Sequence, residues 1–133
     1  MTPAVQPAPA ARVLIVEDDP SIVQSVEFLL RGEGYVTRAV ARGDDALAVV
    51  QEFRPDLVVL DVMLPGIDGF EVCLRLRADP ATRATRVLML SARGRDRELA
   101  RGRAAGADDY VIKPFATREL LQRVRTLLAA APA

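Results

Sequence analysis

Four short apolar runs, each followed by polar residues, constrain the fold of this sequence more than any other feature. The runs and the residues that follow them are Val13–Val16 with Glu17, Asp18 and Asp19, Leu57–Leu60 with Asp61, Val87–Leu90 with Ser91, and Tyr110–Ile112 with Lys113. Continuous apolar runs of this length are typical of strands buried on both faces of a parallel sheet. Because the carboxyl ends of parallel strands lie at one edge, where open α/β sheets bind ligands, these polar residues are expected to meet there.

Helical patterns separate the strands. Asp19 and Pro20 supply an N-cap and a first-turn proline, and apolar residues then recur at helical spacing up to Gly32. Four more helices are predicted after Gly43, after the Pro65-Gly66 turn, from Arg95 to Ala105, and from near Thr117; residues 35–40 form a half-exposed strand. Five β–α units predict an α/β fold of the flavodoxin-like (βα)5 kind, a doubly wound parallel sheet with strand order 2-1-3-4-5. In that order the first and third strands are neighbours, which places Asp18 beside Asp61.

Length and composition fit one domain. Residues 12–129 are predicted to form it, with residues 1–11 as a disordered leader and residues 130–133 as a flexible tail. Eighteen basic and 18 acidic side chains cancel, so no net charge draws the chain to nucleic acid or to an acidic membrane. No apolar stretch approaches the roughly 20 residues that span a bilayer.

Two residue types narrow the chemistry further. The single Cys73 cannot form an internal disulfide, which agrees with a reducing, cytoplasmic location. The chain has no histidine, which excludes His-based triads and His metal sites. It also excludes a phosphohistidine in this chain, so that any phosphoryl donor must be another molecule.

The acidic residues at the predicted sheet edge favour a divalent cation. Clustered carboxylates repel one another, and Mg²⁺ accepts carboxylate and phosphate oxygens together. Asp18 and Asp61 are the natural direct ligands, with Glu17 acting directly or through water. For Glu17 and Asp18 the alternative is simple helix capping, which we accept for Asp19 because Pro20 follows it. Asp61 is also a candidate nucleophile, since carboxylates form acyl phosphates in some phosphoryl-transfer proteins.

Four segments together resemble the receiver domain of bacterial two-component response regulators. They are LIVEDDP (14–20), LVVLDVMLPGIDGFEV (57–72), VLMLSAR (87–93) and GADDYVIKPF (106–115), and they occur in the order of that family. The resemblance covers nearly everything from Arg12 to Leu128. It implies a phosphoacceptor signalling domain rather than an enzyme, although such a domain assists its own phosphorylation and dephosphorylation.

The resemblance assigns a role to each strand end. It implies that Asp61 accepts a phosphoryl group from a histidine kinase or a phosphotransfer protein, and that Lys113 and Ser91 contact this group. Further implied features are Mg²⁺ bound by Asp18, Asp61 and the backbone carbonyl of Met63 with help from Glu17, a switch formed by Ser91 and Tyr110, and a cis bond before Pro114. For Tyr110 an ordinary strand aromatic remains the alternative.

The same resemblance implies an output face on the fourth helix, the fifth strand and the last helix. This face would contact a downstream protein target or form a homodimer, and its candidate residues are Leu99, Asp109, Glu119 and Arg123. Leu99 and Ala104 stand where the dimer-forming subgroup has charged residues, so the sequence leaves the symmetric dimer open.

Three functional readings follow from the sequence. The first is a receiver that acts alone, in the cytoplasm, without binding nucleic acid or membrane. The second is a receiver fragment of a longer DNA-binding regulator or hybrid kinase. The third is a Mg²⁺-dependent phosphohydrolase with Asp61 as nucleophile. It is disfavoured because such enzymes usually have a second Asp two residues after the nucleophile (D-x-D), and Met63 stands at that position here.

Overall fold

The computed structural model describes residues 10–92 and 96–129. Strands and helices alternate along these residues: β1 (Arg12–Val16), α1 (Pro20–Gly32), β2 (Val36–Val40), α2 (Gly43–Phe53), β3 (Leu57–Asp61), α3 (Gly69–Ala78), β4 (Arg86–Ser91), α4 (Asp96–Ala105), β5 (Asp109–Ile112) and α5 (Thr117–Ala129). The proposed start of α4 at Arg95, most of the predicted leader and the predicted tail lie outside the described residues.

All five strands are parallel, in the order β2-β1-β3-β4-β5. This confirms the predicted flavodoxin-like (βα)5 fold. The register pairs Val16 of β1 with Leu60 of β3, so the residues that follow these two positions leave the sheet side by side. The topology therefore brings Asp18 and Asp61 to one edge.

Alternating side chains divide the core into two layers. Leu14 and Val16 face α2 and α3, whereas Val13 and Ile15 face α1 and α5. β1 and β3 are buried on both faces, which explains their continuous apolar runs. β2 lies at the edge of the sheet and has exposed and partly buried residues, in agreement with the half-exposed strand predicted for residues 35–40.

Local signals set several helix ends. Asp19 accepts a hydrogen bond from the backbone N–H of Ser21 at 2.9 Å and caps α1. Asp68 caps α3 in the same way by accepting from the backbone N–H of Glu71 at 2.9 Å. Arg54 ends α2 in the left-handed conformation (φ 51°), directly before Pro55.

α4 is the helix with the least apolar anchoring. Among its described side chains only Gly102 and Ala105 are buried, and Leu99 is half-buried. No helix in the described part of the chain is both long and apolar enough to cross a membrane.

Candidate functional site

Three carboxylates meet at the carboxyl edge of the sheet. One oxygen from each of Glu17, Asp18 and Asp61 lies within 4.8 Å of the others. Glu17 and Asp61 are 2 % and 4 % exposed, whereas Asp18 is open to solvent. Oxygen donors converging on a point with one open side suit a hard divalent cation that keeps part of its water shell, and Mg²⁺ fits that description.

Lys113 brings positive charge to the acidic cluster. Its Nζ donates to Glu17 Oε1 at 2.5 Å and lies 3.4 Å from Asp61 Oδ1. Both carboxylates are therefore within ion-pair distance of this lysine, and the contact with Glu17 is the shorter one. Lys113 also donates its backbone N–H to the carbonyl of Ser91 at 2.7 Å, and the Lys113–Pro114 bond is cis.

Burial and charge act in opposite directions on this ion pair. Burial raises the pKa of Glu17, and the charge of Asp61 adds to that rise, while the hydrogen bond from Lys113 opposes it. For Lys113, burial alone would lower the pKa. The hydrogen bond with Glu17 and the attraction of Asp61 together outweigh burial and raise the pKa of Lys113. Lys113 therefore remains charged at neutral pH and compensates only part of the carboxylate charge.

Ser91 ends β4 next to this cluster. Its neighbour Leu90 pairs with Asp61 in the sheet, and Ser91 itself is 2 % exposed. The Ser91 hydroxyl donates to Glu98 Oε1 of α4 at 3.3 Å. The site hydroxyl is thereby linked to the neighbouring helix.

Tyr110 lies with its ring against the core layer that faces α2 and α3. Its hydroxyl is buried and has no hydrogen-bond partner among the described residues. The guanidinium of Arg103 in α4 lies 5.6 Å from the ring centroid. Tyr110 thus contacts both the core and α4.

The loop between β3 and α3 carries Met63, which is 70 % exposed. The backbone N–H of Met63 lies 3.4 Å from Asp61 Oδ1. Two backbone hydrogen bonds hold the loop, from Gly43 to the carbonyl of Pro65 at 3.1 Å and from Gly69 to the carbonyl of Val62 at 2.9 Å. The residue expected to offer a backbone ligand therefore sits on a fixed loop beside the acidic cluster.

Three of the four candidate output-face residues form one ion-pair group. Arg123 donates to both carboxylate oxygens of Asp109, at 2.9 and 2.8 Å, and its Nε lies 3.5 Å from Glu119 Oε1. The hydrogen bond to Asp109 raises the pKa of Arg123. The fourth candidate, Leu99, is a half-buried apolar residue of α4.

Sequence reasoning missed two supports of the site. Glu98 lies in a mostly polar helix, where nothing in the local pattern distinguishes a functional carboxylate from a solvated one. The contact of Gly43 with the β3–α3 loop joins residues far apart in sequence, and the sequence predicted only the turn at Pro65-Gly66, where Gly66 has φ +80°.

Comparison with known proteins gives matches over almost the whole chain. The family model described as the response regulator receiver domain matches residues 13–125. The phosphate regulon transcriptional regulatory protein PhoB of Rhizobium meliloti is 45 % identical over 120 residues, which are 90 % of this chain and 53 % of that protein. The DNA-binding response regulator MtrA of Mycolicibacterium smegmatis is 47 % identical over 117 residues, which are 88 % of this chain and 50 % of that protein. The chain therefore spans about half the length of these curated relatives.

Solved structures agree with these matches. A putative response regulator from Chloroflexus aurantiacus superposes with a TM-score of 0.88 at 42 % identity, covering 91 % of this chain and 99 % of that one. The receiver domain of the sensor histidine kinase PA1611 from Pseudomonas aeruginosa, which has a magnesium ion coordinated in its active-site cleft, superposes with a TM-score of 0.84 at 29 % identity. That match covers 91 % of this chain and 99 % of the other.

Proposed function

Because this chain belongs to the family of response regulator receiver domains, we propose that it accepts a phosphoryl group on Asp61 and transmits the signal through α4, β5 and α5. The observation that carries this proposal is the setting of Asp61. Its carboxylate is 4 % exposed, ends a central strand, and lies 3.4 Å from the ammonium of Lys113 within a cluster of three carboxylates.

The chemistry is a transfer between two proteins. A carboxylate oxygen of Asp61 attacks the phosphorus of a phosphohistidine on the donor, forming an acyl phosphate as the phosphorus–nitrogen bond breaks. The histidine of the donor leaves with the electron pair and takes up a proton. A histidine kinase or phosphotransfer protein must supply that histidine, since this chain has none.

Asp18, Asp61 and the backbone carbonyl of Met63 would hold Mg²⁺, with Glu17 contributing directly or through water. The bound ion would neutralise charge on the acidic cluster and on the transferred phosphoryl oxygens. Lys113 is then free to turn from Glu17 towards a phosphoryl oxygen, a charge-assisted hydrogen bond that would favour the phosphorylated state.

Ser91 and Tyr110 would report the phosphoryl group to the rest of the molecule. Ser91 donates its hydroxyl to a phosphoryl oxygen, and Tyr110, packed between the core and α4, follows that movement. The output face, with Leu99, Asp109, Glu119 and Arg123, would change its presentation to a downstream protein or to a second copy of the chain.

The partners form part of the same proposal. We place the domain in the cytoplasm, where a histidine kinase would phosphorylate it, and expect the described domain itself to bind neither nucleic acid nor membrane. That it forms the receiver part of a longer DNA-binding regulator is a second candidate. It is supported by the match to about half of PhoB and of MtrA.

Phosphorylation with acetyl phosphate and Mg²⁺ tests the assignment of Asp61. The wild-type chain should take up one phosphoryl group, measured by intact-protein mass spectrometry, whereas Asp61→Asn should take up none. Asp45→Asn, which alters an exposed carboxylate on α2, is the matched control and should be labelled like the wild type. Equal labelling of Asp61→Asn would refute the proposal, and steady turnover of an added phosphate ester would favour the phosphohydrolase instead.

A further inference from the structure

The hydroxyl that would sense the phosphoryl group already has an acceptor on α4. Ser91 is almost fully buried, and its Oγ donates to Glu98 Oε1 at 3.3 Å. Hydrogen bonds between oxygen atoms are usually about 2.5–3.0 Å long, so this contact is long and weak. A weak bond at this position can be exchanged for a stronger one without a large loss of stability.

The described side chains in the first half of α4 include no buried residue. Its buried residues, Gly102 and Ala105, both lie in the second half of the helix. In that half, Arg101 also stacks over the ring of Phe70 at 4.2 Å. Elements with few buried apolar contacts open or shift at low free-energy cost. The contact between Ser91 and Glu98 can therefore have a large effect on the position of the described part of this helix.

We propose that Glu98 is a positioning residue that competes with the phosphoryl group for the hydroxyl of Ser91. This inference rests on the proposed function, because it concerns how the phosphorylated site is read. The serine hydroxyl has one hydrogen to donate. In the unmodified protein Glu98 is an acceptor within hydrogen-bond distance of that hydroxyl, and the contact links Ser91 to α4.

Phosphorylation of Asp61 reverses this preference. Phosphoryl oxygens are strong, charged acceptors, and the bond they form with a hydroxyl is shorter than the 3.3 Å contact with Glu98. Glu98 then loses this hydrogen bond. The start of α4 is released, and the output face changes through a local exchange of one hydrogen bond.

Beryllium fluoride with Mg²⁺ is the probe, as a stand-in for the phosphoryl group that does not hydrolyse. Its half-saturating concentration can be measured by fluorine NMR at saturating Mg²⁺. Glu98→Ala removes the competing acceptor and should lower that concentration about two- to tenfold, the range for one net hydrogen bond. The amides of α4 should also exchange faster in the unliganded variant.

A double-mutant cycle separates competition from simple charge removal. Glu98→Ala also removes a negative charge near the anionic probe, and that effect would persist without the serine hydroxyl. If Glu98 acts through Ser91, Glu98→Ala should have less than about a twofold effect in a Ser91→Ala background. Glu52→Ala, which removes a distant exposed carboxylate, should leave binding unchanged in both backgrounds.

The outcomes distinguish this inference from the proposed function. Equal effects of Glu98→Ala with and without the Ser91 hydroxyl, or no effect in either, would overturn the competition while leaving phosphorylation of Asp61 intact. Undiminished binding of beryllium fluoride by Asp61→Asn would instead refute the proposed function itself.

Discussion

At the scale of single residues, the site consists of charged side chains that the fold holds close together and largely shields from solvent. Lys113 bridges Glu17 and Asp61, two carboxylates that are almost completely buried. Burial of an ionised carboxylate costs free energy, and one ammonium group cannot compensate two carboxylates fully. The side chains of the site therefore carry an excess of negative charge, which suits the cation proposed to bind there.

The raised pKa of Glu17 predicts a pH-dependent effect of its neutral analogue. A pKa higher in the folded than in the unfolded chain means that Glu17 contributes most to stability when protonated, below its unfolded value of about 4.3. That contribution is lost as the pH rises through the folded pKa. Glu17→Gln should thus stabilise the metal-free protein at pH 7 and lose this advantage near pH 4. Urea denaturation at both pH values tests the sign, and destabilisation at pH 7 would contradict it.

Tyr110 offers a second test at this scale. Its hydroxyl is buried without a partner among the described residues, and an unsatisfied buried group costs about 1–3 kcal/mol. Tyr110→Phe should therefore raise the free energy of unfolding by about 1 kcal/mol, as measured by urea denaturation. Tyr35→Phe is the matched control, because the Tyr35 hydroxyl is not one of the buried groups that lack a partner. It should not raise the free energy of unfolding. A loss of stability in Tyr110→Phe would mean that the hydroxyl has an acceptor.

At the scale of elements, the start of α2 supports the loop that carries Met63. Gly43 donates its backbone N–H to the carbonyl of Pro65, and the two segments approach so closely that a side chain at Gly43 has no room. The helix thereby supports the site through this loop. α4 has the opposite character, because its few buried residues leave it free to respond.

Gly43→Ala tests this support. A Cβ atom at Gly43 would lie 2.0 Å from the carbonyl oxygen of Ile67, so the loop or the helix must move. We expect a loss of about 1–3 kcal/mol in the free energy of unfolding and weaker Mg²⁺ binding, measured by denaturation and by calorimetry. Gly32→Ala is the control, because a Cβ there would have no atom within 4 Å and should change stability by about 1 kcal/mol at most. Mg²⁺ binding of wild-type strength in Gly43→Ala would contradict the role of this contact.

At the scale of the whole molecule, the strand order links the site to overall stability. The acidic cluster joins the ends of β1 and β3, while Lys113 follows β5 at the far edge of the sheet. A cation bound to this cluster stabilises only the folded chain, since unfolding separates its ligands. Metal binding and folding are therefore coupled.

Added Mg²⁺ should raise the thermal unfolding midpoint in proportion to the logarithm of its concentration. The stabilisation is expected to reach about 2.7 kcal/mol at a concentration 100 times the dissociation constant. Asp18→Asn should remove most of this response, while stability without metal stays equal or rises because one repelling charge is gone. Asp45→Asn should respond to Mg²⁺ as the wild type does. The unfolding midpoint is measured by calorimetry. An undiminished rise of this midpoint with Mg²⁺ in Asp18→Asn would mean that the cation binds elsewhere.

Sequence patterns predicted the alternation of strands and helices, the strand order and the adjacency of Asp18 and Asp61. Apolar periodicity, caps at Asp19 and turn residues at Pro65-Gly66 are local signals, and crossover handedness leaves few arrangements of five β–α units. The hydrogen-bond partners of the polar side chains became evident only from the three-dimensional structure. Lys113 meets Glu17 across 96 residues of chain, and Ser91 meets Glu98 of a helix with no clear apolar face. Such choices depend on side-chain reach and on burial in three dimensions, which no local pattern encodes.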